Sequence, residues 1–265
     1  MSLDNIYFTR WGDTGPRVVL VHGSAQGSKV GGARHFARQA HLGVQGWQLI
    51  VPDRPGHGRS PSPGRPDDAE ADAVWVAQLL GDGAHLVGHS FGGTVALAAA
   101  ARRPEAVRSL TVIEPAMLPL AIKSPHVRRV ILSMISMQIF SLSDASRARK
   151  ISRLLGIPDE IRGESDHAEL TAVGRSLRKL KVPAKADIQR ELILIRDANI
   201  PLMVVTGGWS PAFEATSDAV AALGGGRRVV IQSPHHFPQN ISEEFNATLV
   251  AFMREADASR AVAVV

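Results

Sequence analysis

The sequence contains no cysteine, which excludes disulfide bonds, thiolate nucleophiles and cysteine-ligated zinc. Any nucleophile must therefore be another residue type. Aromatic residues make up only 5% of the chain, with a single tyrosine, and this is too few for a platform on which nucleic-acid bases stack. We therefore expect no nucleic-acid partner, even though the net charge is +5.

Long apolar runs are also missing. No stretch approaches the ~20 residues that a membrane-spanning helix requires, and the first residues lack the basic and apolar regions of a signal peptide. We expect a soluble, cytoplasmic protein with no membrane partner. A homodimer is compatible with the sequence. The chain has no H-E-x-x-H or comparable ligand cluster, so no metal or cofactor is predicted. Its 265 residues, 45% of them hydrophobic, suffice for a large core.

Short, often β-branched apolar runs alternate with helical patterns. The predicted strands are 6–11, 17–21, 48–51, 84–87, 109–113, 202–205 and 228–231, and the predicted helices between them are 32–41, 68–80, 91–101, 212–223 and 243–255. This alternation predicts a doubly wound, mostly parallel α/β sheet flanked by helices. Residues 257–265 lack helical periodicity, so we expect a frayed tail there.

Residues 115–200 interrupt the alternation with helical patterns alone. The clearest helices are 126–140, 144–155 and 167–180, with Ser143 and Ser165 as expected N-caps. We predict a helical lid over the strand ends, inserted into a core domain of residues 1–114 and 201–265.

The predicted lid is basic and carries an apolar stripe. It holds 15 lysines and arginines against 9 aspartates and glutamates, an excess that is either a solvated outer face or a site for an anionic substrate. The stripe either packs the lid on the sheet or forms a flexible wall for an apolar substrate. It consists of Val130, Ile131, Met134, Met137 and Ile139.

The pattern G-x-S-x-G occurs at residues 88–92, between a predicted strand and a predicted helix. This is the context of a nucleophile elbow, in which Ser90 occupies a strained turn and Gly88 and Gly92 avoid collisions. The backbone N–H of Phe91 then lies at a helix N-terminus, where it can stabilise an oxyanion. Ser24, after the strand at 17–21, is the matching position for a second oxyanion donor. Residues 23–29 do not match a Walker A phosphate loop, because serine rather than glycine directly precedes Lys29 and valine follows it.

Four motifs in this order resemble the α/β-hydrolase fold superfamily: V-H-G-S at 21–24, V-P-D-R-P-G-H-G-R-S at 51–60, G-H-S-F-G-G at 88–93 and H-F-P at 236–238. The resemblance covers nearly the whole chain except the predicted lid. It implies the chain order nucleophile, acid, histidine. It also implies that His236, directly before Phe-Pro, is the base, with the adjacent His235 as the rival.

The position of the carboxylate that would pair with the catalytic histidine departs from the commonest pattern of the superfamily. Many members carry aspartate in a G-x-x-D turn, where this chain has Ser210. Some members use a carboxylate at the end of an earlier strand, and Glu114 occupies that position, with Glu214 as the alternative. Asp53 resembles a structural aspartate of the superfamily. We expect His22, His57 and His89 to support the site rather than act as bases.

These features predict a serine hydrolase of the carboxylic ester type, without cofactor or metal, with Ser90, His236 and Glu114 as catalytic residues and Ser24 and Phe91 as oxyanion donors. The expected substrate is a small, largely apolar ester, thioester or lactone. Two alternatives stay open because fold does not specify chemistry. The same triad could serve carbon–carbon bond hydrolysis, perhydrolysis or lyase chemistry, or the protein could be a non-catalytic receptor for a small ligand.

Overall fold

A computed structural model describes residues 3–24, 29–157 and 166–263. The strands within these residues form one sheet of seven, and each lies within two residues of its predicted position. Their bounds are β1 Phe8–Trp11, β2 Arg17–Val21, β3 Gln48–Pro52, β4 Ala84–His89, β5 Val107–Ile113, β6 Leu202–Thr206 and β7 Arg227–Val230.

The strand order in the sheet is β1, β3, β2, β4, β5, β6, β7. Strand β1 pairs antiparallel with β3, and every other pair is parallel. The predicted mostly parallel α/β sheet is therefore confirmed. Because β2 to β7 run in the same direction, the loops that follow them converge at one edge of the sheet, where ligands bind in such folds.

Helices cover both faces of this sheet. The α-helices are α1 Gly32–His35, α2 Ala69–Leu79, α3 Phe91–Arg102, α4 Pro125–Phe140, α5 Asp144–Leu154, α6 His167–Lys179, α7 Lys185–Asp197, α8 Pro211–Gly224 and α9 Glu243–Ala263. Short 3₁₀ helices lie at Leu3–Asn5, Ala37–Gln45, Pro104–Ala106, Leu118–Ala121 and Pro238–Asn240. None of the helices in the described residues is both long and apolar enough to span a membrane.

The sheet is covered by two apolar layers, one on each of its faces. Alternate residues of β2 supply the two layers, because successive side chains of a strand point to opposite faces: Val19 and Val21 join one, and Val18 and Leu20 the other. The first layer packs against α2, α3, α7 and α8. The second packs against α9 and the segment from α1 to β3. Burial on both faces explains why the strands are continuous apolar runs rather than alternating ones.

Two predicted boundaries were wrong. The predicted helix 32–41 is broken at Phe36, after which the chain continues as the 3₁₀ helix Ala37–Gln45. The predicted frayed tail is instead helical, since α9 continues to Ala263. Asp257 pairs with Arg108 and His85, and Arg260 donates to the carbonyl of Val107 over 2.8 Å. These contacts with β4 and β5 hold the last turns of α9 in place despite their weak periodicity.

The described part of residues 115–200 contains helices α4 to α7 and an isolated backbone bridge between Lys181 and Asp68. Ser143 caps α5 as predicted, accepting a hydrogen bond from Ser146 N–H. Ser165 lies outside the described residues, and Asp166 is the residue that caps α6. Helix α7 was not among the named predictions. Strands precede and follow this segment in the chain, and the domain boundaries and lid role remain predictions.

Candidate active site

Ser90 lies in the sharp turn between β4 and α3. Its backbone angles are φ 56° and ψ −122°, a region that non-glycine residues rarely occupy. Three backbone hydrogen bonds hold the turn: Ser90 donates to Ile113 and accepts from Gly93 and Ala116. Ser90 remains partly accessible, whereas the neighbouring residues of β4 and α3 are buried. The turn therefore presents this side chain at the edge where the parallel strands end.

Close backbone packing explains both glycines of the turn. A Cβ atom on Gly88 would lie 2.3 Å from the carbonyl oxygen of Gly92, and one on Gly92 would lie 2.2 Å from the carbonyl oxygen of Val21. Neither position can hold a side chain without displacing backbone. The strand-to-helix turn thus depends on the small residues of the G-x-S-x-G pattern.

The structure brings His236 and Glu114 together. His236 Nδ1 is 2.8 Å from Glu114 Oε2, and both side chains are buried. His236 Nε2 is also buried and has no hydrogen-bond partner among the described residues. His89 connects this pair to the turn: its Nε2 donates to the carbonyl of His236 over 2.7 Å, and it directly precedes Ser90. One ring nitrogen of His236 is therefore held by a carboxylate, while the other is unpaired at the edge that carries Ser90.

Glu114 follows β5 directly, and its backbone has φ 43°. This rare conformation turns the side chain across the ends of β5 and β6. Oε1 accepts from the backbone N–H of Gly207 over 2.8 Å, and Oε2 accepts from Trp209 Nε1–H over 2.9 Å. With His236, three N–H donors surround the two carboxylate oxygens, an arrangement that suits an ionised acceptor.

The rival residues have other partners. Glu214 accepts from Thr206 Oγ1, from the N–H of Gly208 and from Arg228. The Nδ1 atom of His235 accepts from the N–H of Phe237 over 3.2 Å. Ser210, in the position where many hydrolases carry the acid, is the N-cap of α8. These hydrogen bonds of Glu214 and His235 lead to residues other than Glu114 and His236.

The two expected oxyanion donors lie on either side of Ser90. Phe91 is the first residue of α3, so its N–H has no carbonyl partner within the helix. Ser24 follows Gly23, at which a Cβ atom would lie 3.0 Å from the Cβ of Ser90. The loop after β2 thus approaches the serine closely. Ser24 Oγ donates to Asp67 Oδ2 over 2.7 Å, which anchors its side chain.

Comparison with known proteins identifies this architecture. A family model for the alpha/beta hydrolase fold matches residues 16–154, which is more than half of the chain. The chain belongs to the α/β-hydrolase fold family. It is also 30% identical to Lipase LipV of Mycobacterium tuberculosis over 231 residues, covering 83% of this chain and 84% of that protein.

Two further matches agree with the family. The chain is 47% identical over 64 residues to a pimeloyl-[acyl-carrier protein] methyl ester esterase of Neisseria meningitidis, a match covering 24% of this chain and 25% of the esterase. The structure of olei00960, a hydrolase from Oleispira antarctica, superposes with a TM-score of 0.70 at 17% identity, covering 95% of this chain and 96% of the other. The predicted α/β-fold hydrolase of the carboxylic ester type is confirmed at this level.

Arg54 is a buried residue of this hydrolase whose importance the sequence analysis missed. Its Nε and Nη2 atoms donate to Asp72 Oδ2 over 3.0 and 2.9 Å, and its Nη2 lies 3.3 Å from Asp67. Nη1 donates to Ser24 Oγ over 3.0 Å, and the guanidinium lies 4.6 Å from the ring centroid of Phe91. One buried cation therefore touches both residues expected to supply the oxyanion donors. Its position within V-P-D-R-P-G-H-G-R-S was the available signal.

Two arginines meet the two buried carboxylates of this network, because Arg65 also pairs with Asp72 over 2.6 Å. Burial alone raises the pKa of Asp67, but the Arg54 guanidinium, with hydrogen bonds from His57 and Ser24, outweighs it and holds the pKa well below its usual range. Asp67 is therefore ionised beside the loop that carries Ser24. The neighbouring Asp53 accepts instead from the backbone N–H groups of Gly32 and Arg59 over 2.7 and 2.9 Å, contacts that fit the expected structural role.

His22 and His89, which also belong to the motifs, are buried next to the site. Burial lowers the pKa of His22 and of His89 well below the ordinary value. His22 Nε2 accepts from the backbone N–H of Arg54 over 2.9 Å, which requires an unprotonated ring nitrogen. These neutral rings order the loops after β2, β3 and β4. In the described ranges, no three histidine, aspartate or glutamate side chains form a group that could hold a metal ion.

Proposed function

We propose that this hydrolase cleaves a small, largely apolar carboxylic ester, thioester or lactone through an acyl-enzyme intermediate formed on Ser90. The observation that carries the proposal is His236, whose Nδ1 is held 2.8 Å from a buried carboxylate while Nε2 has no partner in the described structure. A serine hydroxyl needs a base of this kind to become an effective nucleophile.

The reaction begins when Ser90 Oγ attacks the substrate carbonyl carbon and transfers its proton to His236 Nε2. Glu114 accepts the hydrogen bond from Nδ1–H and stabilises the imidazolium that forms. The backbone N–H groups of Ser24 and Phe91 stabilise the negative charge on the former carbonyl oxygen. The tetrahedral intermediate collapses, and His236 returns the proton to the leaving alcohol or thiol. Water then attacks the acyl-enzyme by the same route and releases the acid.

The surroundings of His236 support an apolar substrate. The Phe213 ring centroid lies 4.5 Å from that of His236, and the Trp209 ring lies 6.3 Å away. Aromatic side chains at this distance exclude water from the base and offer apolar surface to an acyl or alcohol group. The named relatives, a lipase and a methyl ester esterase, also support ester cleavage.

The decisive experiment is labelling with a fluorophosphonate, followed by measurement of intact mass. We expect one adduct on the wild-type protein and none on Ser90→Ala or His236→Ala. His235→Ala is the matched control and should label like the wild type, because His236 is the histidine within hydrogen-bond distance of Glu114. Circular dichroism and thermal melting establish that each variant is folded.

An adduct that survives Ser90→Ala would contradict the assignment of the nucleophile. A folded wild-type protein that forms no adduct would contradict the hydrolase proposal and favour a receptor for a small ligand. After a positive result, a panel of esters, thioesters and lactones with varied acyl chains would define the substrate class.

A further inference from the structure

Helix α4 and the residues just after it expose large apolar side chains that nothing in the described structure covers. They recur every three or four residues, so those within the helix lie on one face. Their exposed fractions are Leu132 64%, Ile135 49%, Ile139 66%, Phe140 71% and Leu142 99%. A contiguous exposed apolar patch on a soluble protein marks an interaction site.

The opposite side of α4 already packs against the protein. Val130, Ile131, Met134 and Met137 are partly buried, and Met137 packs against the cluster formed by α5 and α6. The predicted stripe therefore faces inward except at Ile139, which is exposed. Helix α4 thus has two apolar sides, of which packing within the chain uses one.

Positive charge adjoins the uncovered side. Lys123, Arg128, Arg129 and Lys150 are exposed, and none forms an ion pair with a residue in the described ranges. Residues 115–143 contain no aspartate or glutamate. A depression of about 650 Å³ lies among Arg128, Arg129, Leu132 and Lys150. It could receive an anionic group beside an apolar one.

We propose that this α4 surface, defined as Leu132, Ile135, Ile139, Phe140 and Leu142 with Arg128, Arg129 and Lys150, docks on an anionic lipid surface. Apolar side chains enter the interfacial region of a lipid layer while flanking cations contact its headgroups, a combination that gives reversible surface binding. Surface docking requires no membrane span. It does depart from the sequence-based expectation of no membrane partner.

Charge favours lipid over a second copy of the chain. In a two-fold contact through α4, the same surface meets itself, so Arg128 and Arg129 of both copies would be desolvated. The segment from residue 115 to 143 offers no carboxylate to pair with them, and burying unpaired cations is costly. An anionic lipid surface supplies both the apolar layer and the missing counter-charge.

The test is co-sedimentation of the full chain with vesicles. One set is phosphatidylcholine alone, and the other is phosphatidylcholine mixed with an equal amount of phosphatidylglycerol. We expect binding to the second set, weakened by added salt. Leu132→Ser combined with Ile139→Ser should weaken this binding about ten-fold or more, and Arg128→Gln combined with Arg129→Gln should do the same. Val44→Ser is the matched control, because Val44 is 91% exposed but lies in the 3₁₀ helix before β3.

Three results would overturn the proposal: no binding of folded wild-type protein to the anionic vesicles, equal binding to both vesicle types, or binding that neither pair of substitutions weakens. A stable dimer in light scattering that Leu132→Ser dissociates would also overturn it and identify an interface between copies. Fluorophosphonate labelling of Ser90 is independent of these outcomes, so the docking proposal and the proposed function fail or succeed separately.

Discussion

The edge of the sheet that carries Ser90 and the exposed side of α4 use polar and apolar residues in opposite ways. At the sheet edge, Glu114, Arg54 and His236 are buried, and fixed hydrogen bonds orient each of them. On α4, apolar side chains are exposed and the neighbouring cations lack ion pairs within the described residues. Preorganised polar groups in a buried site suit transition-state stabilisation, whereas exposed cations beside apolar side chains suit reversible binding.

This difference predicts where a substitution changes catalysis, where it changes stability and where it changes neither. A buried polar group that loses its partner leaves an uncompensated charge or dipole. An exposed side chain can be replaced at little cost to folding.

The largest effect is expected from Glu114→Gln. The amide keeps the shape of the side chain but cannot stabilise an imidazolium as an anion does, so kcat should fall by about 10⁴-fold, as on loss of a triad acid. Steady-state kinetics with a simple ester measures it. Glu214→Gln is the control and should stay within about ten-fold of the wild type, because Glu214 pairs with Arg228 instead. Equal losses in both variants would assign the acid elsewhere.

Arg54→Met should be next in size. The substitution keeps an unbranched side chain but removes the guanidinium from buried Asp67 and leaves Asp72 paired with Arg65. We expect a cost of about 3–5 kcal/mol in the free energy of unfolding. Urea denaturation measures this cost, with Arg149→Met on α5 as the exposed control. If Arg54→Met were as stable as Arg149→Met, the buried network would not contribute to folding.

A smaller, pH-dependent effect is expected at the contact between α7 and α2. Burial, followed by the nearby Glu70 carboxylate, raises the pKa of Glu191 to about 8. The unfolded chain has the ordinary, lower value, so stability from the protonated side chain is present at acidic pH and is lost as the pH rises towards 8. Glu191→Gln removes this ionisation. It should therefore raise the melting temperature at pH 9 by about 2–4 °C and leave it nearly unchanged at pH 5. A stabilisation of the same size at both pH values would contradict the assignment.

The smallest effect is expected on α4. Leu132→Ser should change the free energy of unfolding by no more than about 0.5 kcal/mol, because the side chain is already exposed. By contrast, Leu97→Ala in the buried helix α3 should cost about 2–5 kcal/mol, since it leaves a cavity. Thermal and chemical denaturation compare the two. A large loss in Leu132→Ser would mean that α4 packs against the rest of the chain on this side, and the surface proposed for lipid would not be free.

Local patterns predicted the residues that the fold brings to the sheet edge. The strained turn at Ser90 was predictable because G-x-S-x-G between a strand and a helix is the pattern of a nucleophile elbow. Serine stands at position 210, where many members of the family carry the acid, and this favoured Glu114, because strand ends in a parallel sheet share one edge. The structure places this carboxylate against His236, and its catalytic role is a proposal that the kinetics above would test.

Other features depended on distant contacts. Helix α9 continues to Ala263 despite the weak periodicity of its sequence, because Asp257 and Arg260 bond to Arg108 and Val107 of β5. The exposed side of α4 could not be predicted from the sequence either. When a helix is apolar on two sides, its sequence does not indicate which side packs against the rest of the chain.

The sequence by itself determined the strand and helix types, the elbow and the absence of cysteine chemistry, because these depend on residue size, backbone preference and composition. Only the tertiary structure decided which acid meets His236, which arginine joins Ser24 to Phe91, and which side of α4 stays exposed. Those outcomes depend on contacts between residues far apart in the chain, and a local sequence pattern does not specify such contacts.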